Sequence, residues 1–469
     1  MSLSTRKLNE LNHKLESLTN EFAYWRAKSQ EHNPLQKHNS QIHRVTLQLD
    51  TLKGAISTEL DELSKSADAT VLSKVREVER DILEVHRIWE FFRSKFVLRG
   101  VDWFSPYLVA ADELAASAYS AAQENYDYRK VSKEALKAPP LVFFNGGSSP
   151  YTMPQSMAYK AEVVPGEELQ NVESWELLKD LPIPVIGIPW FQIKHLPDIL
   201  VIAHEVGHDV EQDFQLTGTI LGLLDAAMEK KNFPDDHRKA WRAWLRESFA
   251  DLYGNCVAGP AFVGSLLDFL ATDTTSTQQD VRKAPKWGIY PPDYLRLFMN
   301  IKALELQGFK TESGELELEL KNTYATHAMT SFEDDTIHVV EAIIDGAYPE
   351  FNGKTLRQIV GFSKSDQENA VKNAERVLNG SEPSQTNIRS LLAAARLSYT
   401  KNSQLYKTKK VHDLILAAVP KTQLGGVRAE RVKKMTPAEK AAADKFDVSA
   451  GEQLFEKLKK RRRTLRKKS

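Results

Sequence analysis

The sequence predicts a mainly α protein with a small β-sheet, in the α+β class. Three observations carry that expectation. The first hundred residues contain three stretches in which apolar residues recur in steps of three and four. Two short segments, "PPLVFFNGG" and "IPVIGIPWF", have the β-rich composition and Pro/Gly boundaries of strands. Helical spacing then resumes over most of the remaining chain.

The first helix is read from Leu8, Leu11, Leu15, Leu18, Phe22 and Trp25. The break "EHNPLQKHN" at 31–39 ends it. A second series runs through Ile42, Val45, Leu49, Leu52, Ile56 and Leu63. A third runs through Val71, Val75, Val78, Ile82, Val85, Trp89 and Phe92. Such seams predict a helical hairpin, coiled coil or three-helix bundle over 1–97, a unit suited to packing, self-association or capture of a protein partner. Helix is expected to continue around "LVAADELAASAYSAAQ" and to return over 197–272 and 293–307. The stretch 310–380 reads as mixed, and "DTTSTQQD" at 273–280 as an exposed loop. A central domain is expected over 98–382. A C-terminal helical region with a basic tail is expected over 383–469, from "IRSLLAAARLSY", "VHDLILAAV" and the terminal charges.

Composition narrows the function classes. Among 469 residues, 42% are hydrophobic and 27% charged, the balance of a globular protein with ample core material. Cys256 is the one cysteine, so neither an intrachain disulfide nor a cysteine-based zinc cluster can form, which favours a reducing compartment. The start, "MSLSTRKLNE", lacks the apolar core of a secretory signal, and no apolar run is long enough to span a membrane. A cytoplasmic protein with no membrane partner is the expectation. The formal net charge is zero, but the tail "KLKKRRRTLRKKS" is dense in Lys and Arg. It could contact nucleic-acid phosphates. Such runs are more often solvated termini.

The chemistry concentrates in "LVIAHEVGHDV", residues 200–210. Charged and imidazole groups in an apolar helix are costly unless paired or bound to a metal. His204 and His208 are four apart, so both rings lie on one helix face and can reach a single ion. Glu205 projects near the same ion without ligating it, where it can take a proton from a water. This is the H-E-x-x-H arrangement of zinc hydrolases. Gly207 permits close approach of another backbone or of a substrate. A site of this kind needs a third protein ligand. A same-segment histidine is excluded, because H-E-x-x-H-x-x-G-x-x-H would require Gly at Glu211 and His at Phe214. A later helix, "WLRESFADLYG", offers Glu247 and Asp251 four apart on one face among buried-type apolar residues.

Together, "HEVGH" and "ESFADLYG" resemble the gluzincin zinc metallopeptidases, over residues 183–300. "GPAFVGSLLDFL" and "YPPDYLRLF" are similar to uncharacterised soluble bacterial members, which carry His-Pro where this chain has Tyr290-Pro291. The resemblance implies a gluzincin-like domain holding one Zn2+ per chain. It implies that Glu247 is the third ligand and that Asp251 hydrogen-bonds His204. It further implies a peptide or protein substrate and Glu205 as general base. The clan binds substrate backbone along an edge strand, for which "FFNGGSS" or "IPVIGIPW" is the candidate. Oxyanion donors in the clan lie beyond the second motif, where Tyr290, Tyr294, His327 and His338 are available. The Gly-x-Met-Glu-Asn motif of the aminopeptidase branch is absent from the sequence, which disfavours that branch. The alternative expectation is a non-catalytic binding protein on the same scaffold, contacting nucleic acid through its basic tail.

Overall fold

A computed structural model describes residues 1–31, 34–126, 138–146, 150–153, 183–271, 287–324, 330–419 and 437–466. Three long helices open the chain: α1 (Leu3–Lys28), α2 (Asn39–Ser64) and α3 (Asp68–Val97). Ser2 caps α1 by accepting from the amide of Thr5 at 3.2 Å, which satisfies one of the orphan donors of the first turn. All three apolar series of the sequence are buried, and they converge on one core. Phe22, Trp25, Trp89 and Phe96 meet there, with Phe22 edge-on to Trp89 at 5.2 Å.

A fourth helix completes this bundle. The C-terminal helix, Pro437–Arg466, packs along α2 and contributes Leu454, Phe455 and Leu458 to the same core. Asp447 accepts from Arg44 Nε and Nη2 at 2.9 and 3.0 Å, a buried bidentate pair. Gly451 makes the approach possible: a Cβ there would lie 2.6 Å from the carbonyl oxygen of Gln48. The stretch 383–469 therefore divides. Residues 388–419 belong to a second, larger core, whereas 437–466 join the N-terminal helices.

The second core starts with α4 (Ser105–Asn125), and a three-stranded sheet of β1 (Leu141–Asn145), β2 (Tyr151–Met153) and β3 (Val185–Pro189) lies between the two cores, giving Val142, Phe144, Ile186 and Ile188 to the second and Leu141, Phe143 and Val185 to the first. Sheet order is β1-β3-β2, with β1 parallel to β3 (Val142 opposite Ile186) and β2 antiparallel to it. The two expected strands are present. The segment "IPVIGIPW" does not form a sheet edge, however: β3 is central, and its prolines bracket the strand at Pro184 and Pro189. The edge at β1 is met by side chains from the helical layer. Arg99 Nη2 donates to the carbonyl of Val142 at 2.5 Å, and the amide of Val142 donates to Asp112 Oδ1 at 3.4 Å.

Two short 3-10 segments, Trp190–Lys194 and Leu196–Val201, lead into α5 (Ile202–Asp213). Next come α6 (Thr217–Lys230) and α7 (Asp235–Leu270), which bends at Gly259 (φ 54°) and Pro260. The helices α8 (Asp293–Gln307), α9 (Lys310–Thr323), α10 (Thr330–Ile344), α11 (Leu356–Val360) and α12 (Lys364–Leu378) follow. The stretch expected to be mixed is thus helical where described, apart from a single bridge between Tyr348 and Lys354. The layer closes with α13 (Ile388–Lys401), α14 (Ser403–Thr408) and α15 (Val411–Ala418), so the C-terminal helix is α16. The fold is mainly α with a small sheet. No helix among the described residues is long and apolar enough to cross a membrane. The loop expected at 273–280 lies outside the described residues.

Candidate metal centre

Helix α5 has apolar residues on most sides, with Ile202, Ala203, Val206 and Val210 in the core. It runs against α7, and Gly207 sets their separation. A Cβ at Gly207 would fall 2.8 Å from Cα of Ala250 and 3.1 Å from Cβ of Tyr253, closer than side chains pack. Of the two uses expected for this glycine, the structure employs the close approach of another backbone. The turn of α7 around Ala250 is the one that carries Glu247 and Asp251.

His204, Glu205, His208 and Glu247 are all buried, and Asp251 is completely so. Glu247 Oε2 lies 3.4 Å from His204 Nε2, and Glu247 Oε1 lies 3.4 Å from His208 Nε2. The two imidazole rings are nearly perpendicular, with centroids 4.7 Å apart. One ligand atom from each of His204, His208 and Glu247 lies within 4.8 Å of the others. The two 3.4 Å contacts end on different oxygens of Glu247 and are long for charge-assisted hydrogen bonds. Glu247 Oε2 is buried without a hydrogen-bond partner of its own among the described residues. Two imidazoles and a carboxylate so placed could hold a metal ion.

Behind His204 stands a chain of charge that the sequence reading found only in part. Asp251 Oδ1 accepts from His204 Nδ1 at 2.7 Å, which turns Nε2 and its lone pair toward the triad. Asp251 also accepts from Arg296 of α8, Nε to Oδ2 at 2.8 Å and Nη2 to Oδ1 at 2.9 Å. Arg296 is held in turn: Asn300 donates to its carbonyl at 2.9 Å, and Asn255 donates to the carbonyl of Asn300 at 2.8 Å. Sequence reasoning missed Arg296. The available signal was a single arginine inside the apolar run "YLRLF" of a buried helix.

The electrostatics follow from this packing. Burial works against a charged His204, yet the hydrogen bond and charge of Asp251, reinforced by Glu247, raise its pKa to about 10. Burial raises Glu205, and the neighbouring carboxylate of Glu247 adds to that, against the opposing pull of both histidines. Glu247 is lowered, because the two imidazoles outweigh its burial. Asp251 is likewise lowered against its burial, by Arg296 first and His204 second.

The remaining candidates sit as follows. Glu211 is buried, accepts from Thr217 Oγ1 and pairs with Arg246 at 3.1 Å. Phe214 is buried among Tyr119, Tyr126 and Phe351. Neither faces a metal role. Of the oxyanion candidates, Tyr290 is exposed in the segment before α8. Tyr294 is buried and stacked on Phe298, and its hydroxyl pKa is raised by burial and by Glu333, to which it hydrogen-bonds. His338 is on α10, with Nδ1 3.7 Å from Glu341. His327 lies outside the described residues. Cys256 is a buried core residue whose thiol burial pushes up to about 12. Comparison with protein-family models, curated proteins and solved structures found no match to this chain.

Proposed function

We propose that the chain is a zinc-dependent metallohydrolase that cleaves peptide bonds, with one zinc ion per chain. The observation that carries this reading is the convergence of His204, His208 and Glu247 within 4.8 Å of one another, with Glu205 in electrostatic contact with all three and Asp251 orienting His204. When bound there, zinc supplies a Lewis acid that polarises a carbonyl and activates water. The protein residues divide the other tasks. His204 and His208 would hold the metal through their Nε2 atoms, and Asp251 orients the His204 ring for this. Glu205 is the general base. Its burial-raised pKa favours accepting the proton of the attacking water and returning it to the leaving amine. Helices α5 and α7 hold the carboxylates rigidly and keep bulk water from the triad.

The gluzincin-type motif pair supports a peptide substrate, and the buried second-helix carboxylates support a hydrolytic over a merely structural site. The test is protease profiling of purified chain, with zinc content measured in parallel. Cleavage that a chelator abolishes, that zinc restores and that Glu205→Gln lacks is the expected result. Zinc-free protein after reconstitution, or cleavage unaffected by Glu205→Gln, overturns the reading.

A further inference from the structure

Positive charge is concentrated at one end of α16. Residues 457–468 hold nine Lys or Arg and no Asp or Glu, although the formal net charge of the whole chain is zero. The rest of the chain is therefore net acidic. The helix continues through this run as far as Arg466. Residues 457–466 hold seven of the nine cations. Ten helical residues rise about 15 Å, so there is a cation about every 2 Å along the axis. Double-stranded DNA carries one negative charge per about 1.7 Å of its own axis. Cations at a helix C-terminus also complement the macrodipole, but that effect is confined to the last turn and does not account for about three turns of them.

The buried side of α16 decides where these positions fall. Asp447, Ala450, Leu454, Phe455 and Leu458 are buried on the side that packs against α2, where Asp447 meets Arg44. At about 100° per residue, positions 457, 459, 460, 463 and 466 fall on the half of the helix turned away from that side. Lys457 and Lys460 are exposed. Lys459 is half-buried, with its ammonium 4.3 Å from the ring centre of Phe455.

We infer that this end of α16 binds the phosphate backbone of double-stranded nucleic acid, outside the metal site and without reading base sequence. The density of cations fits a duplex. A bilayer fits less well, because an amphipathic helix binds it by inserting an apolar face, and here Leu454, Phe455 and Leu458 are already buried in the N-terminal core. Single strands are held by bases stacked on aromatic side chains. The run 457–468 has no aromatic residue, and the preceding ring, Phe455, is buried under Lys459. Contacts to phosphate set position and affinity and carry no sequence code.

Fluorescence anisotropy of the full chain with a labelled DNA duplex of mixed sequence tests this. Five phosphate contacts give a slope of log affinity against log salt of about −4.5, which is about a 500-fold loss between about 50 and 200 mM salt. Truncation after Leu458 is expected to abolish binding, with zinc content and helical circular dichroism unchanged. Lys460→Gln with Arg463→Gln, both on the outward half of the helix, is expected to reduce the slope by about two and to weaken A·T-rich and G·C-rich duplexes alike. No binding at about 50 mM salt, an affinity that salt does not change, or full affinity in both variants overturns the inference. Tighter binding to phosphatidylserine–phosphatidylcholine vesicles or to polyglutamate than to the duplex, at the same salt, also overturns it. The proposed hydrolase function is tested apart from this, by zinc content and Glu205→Gln.

Discussion

Replacing Asp251 by Asn separates what this carboxylate does for the metal from what it does for the fold. Asparagine has the same shape, so packing is kept while the charge is removed. His204 then loses its anionic acceptor at 2.7 Å. Such a loss weakens metal affinity by about 10–100-fold, or about 1.4–2.7 kcal/mol. Arg296, buried and bonded twice to the same carboxylate, becomes a cation without a counter-charge. Removing one partner of a buried pair costs about 3–5 kcal/mol. That is a large share of a typical domain stability of about 5–15 kcal/mol. The expected outcome is a lower urea midpoint for the metal-free variant and a weaker zinc affinity by chelator competition. Adding Arg296→Met removes the orphaned charge as well. The double variant should regain most of the lost stability and still bind zinc weakly, because His204 remains without an anionic acceptor. Unchanged zinc affinity in Asp251→Asn would refute the orienting role. A double variant no more stable than the single one would refute the account of Arg296.

Glu205→Gln should retain zinc and lose turnover, whereas Glu247→Ala should lose most of the zinc; metal analysis after dialysis and a cleavage assay check both. Gly207→Ala places a methyl 2.8 Å from Cα of Ala250, so overpacking should cost about 1–3 kcal/mol in urea unfolding and weaken zinc binding by separating α5 from α7. In the metal-free chain, a His204 pKa raised to about 10 stabilises the fold fully below the unfolded value near 6.5. That contribution disappears as pH rises through about 10. Zinc competes with the same proton, so its apparent affinity should rise about tenfold per pH unit between pH 7 and 9, with close to one proton released, measured by titration calorimetry in buffers of different ionisation enthalpy. Truncation after Leu458, the last buried residue of α16 among the described residues, should leave folding and zinc content intact, and gel-shift assays at two salt concentrations will reveal any nucleic-acid contact made by the tail.

Much of this protein was legible before any coordinates. Apolar spacing located α1, α2 and α3, because a helix that buries one face must repeat its apolar residues every three to four positions. The i, i+4 pairs singled out His204 with His208 and Glu247 with Asp251, because that spacing stacks side chains on one face and their burial demands a partner. Local pattern could not say which helices face each other. The meeting of α5 and α7 depends on Gly207 fitting over Ala250, a contact between segments more than forty residues apart. The place of Arg296 behind Asp251 depends on a third helix packing on α7. Sheet order put "IPVIGIPW" at the centre, since strand composition does not encode neighbours when both faces are buried. The C-terminal helix went to the N-terminal bundle through Arg44, Asp447 and Gly451, and the chain between carries no periodic signal of that destination. Sequence alone determined the elements and the chemical groups, because these rest on short-range covalent spacing. Tertiary structure decided the triad's geometry and its supporting charges, because these arise where distant segments bury one another.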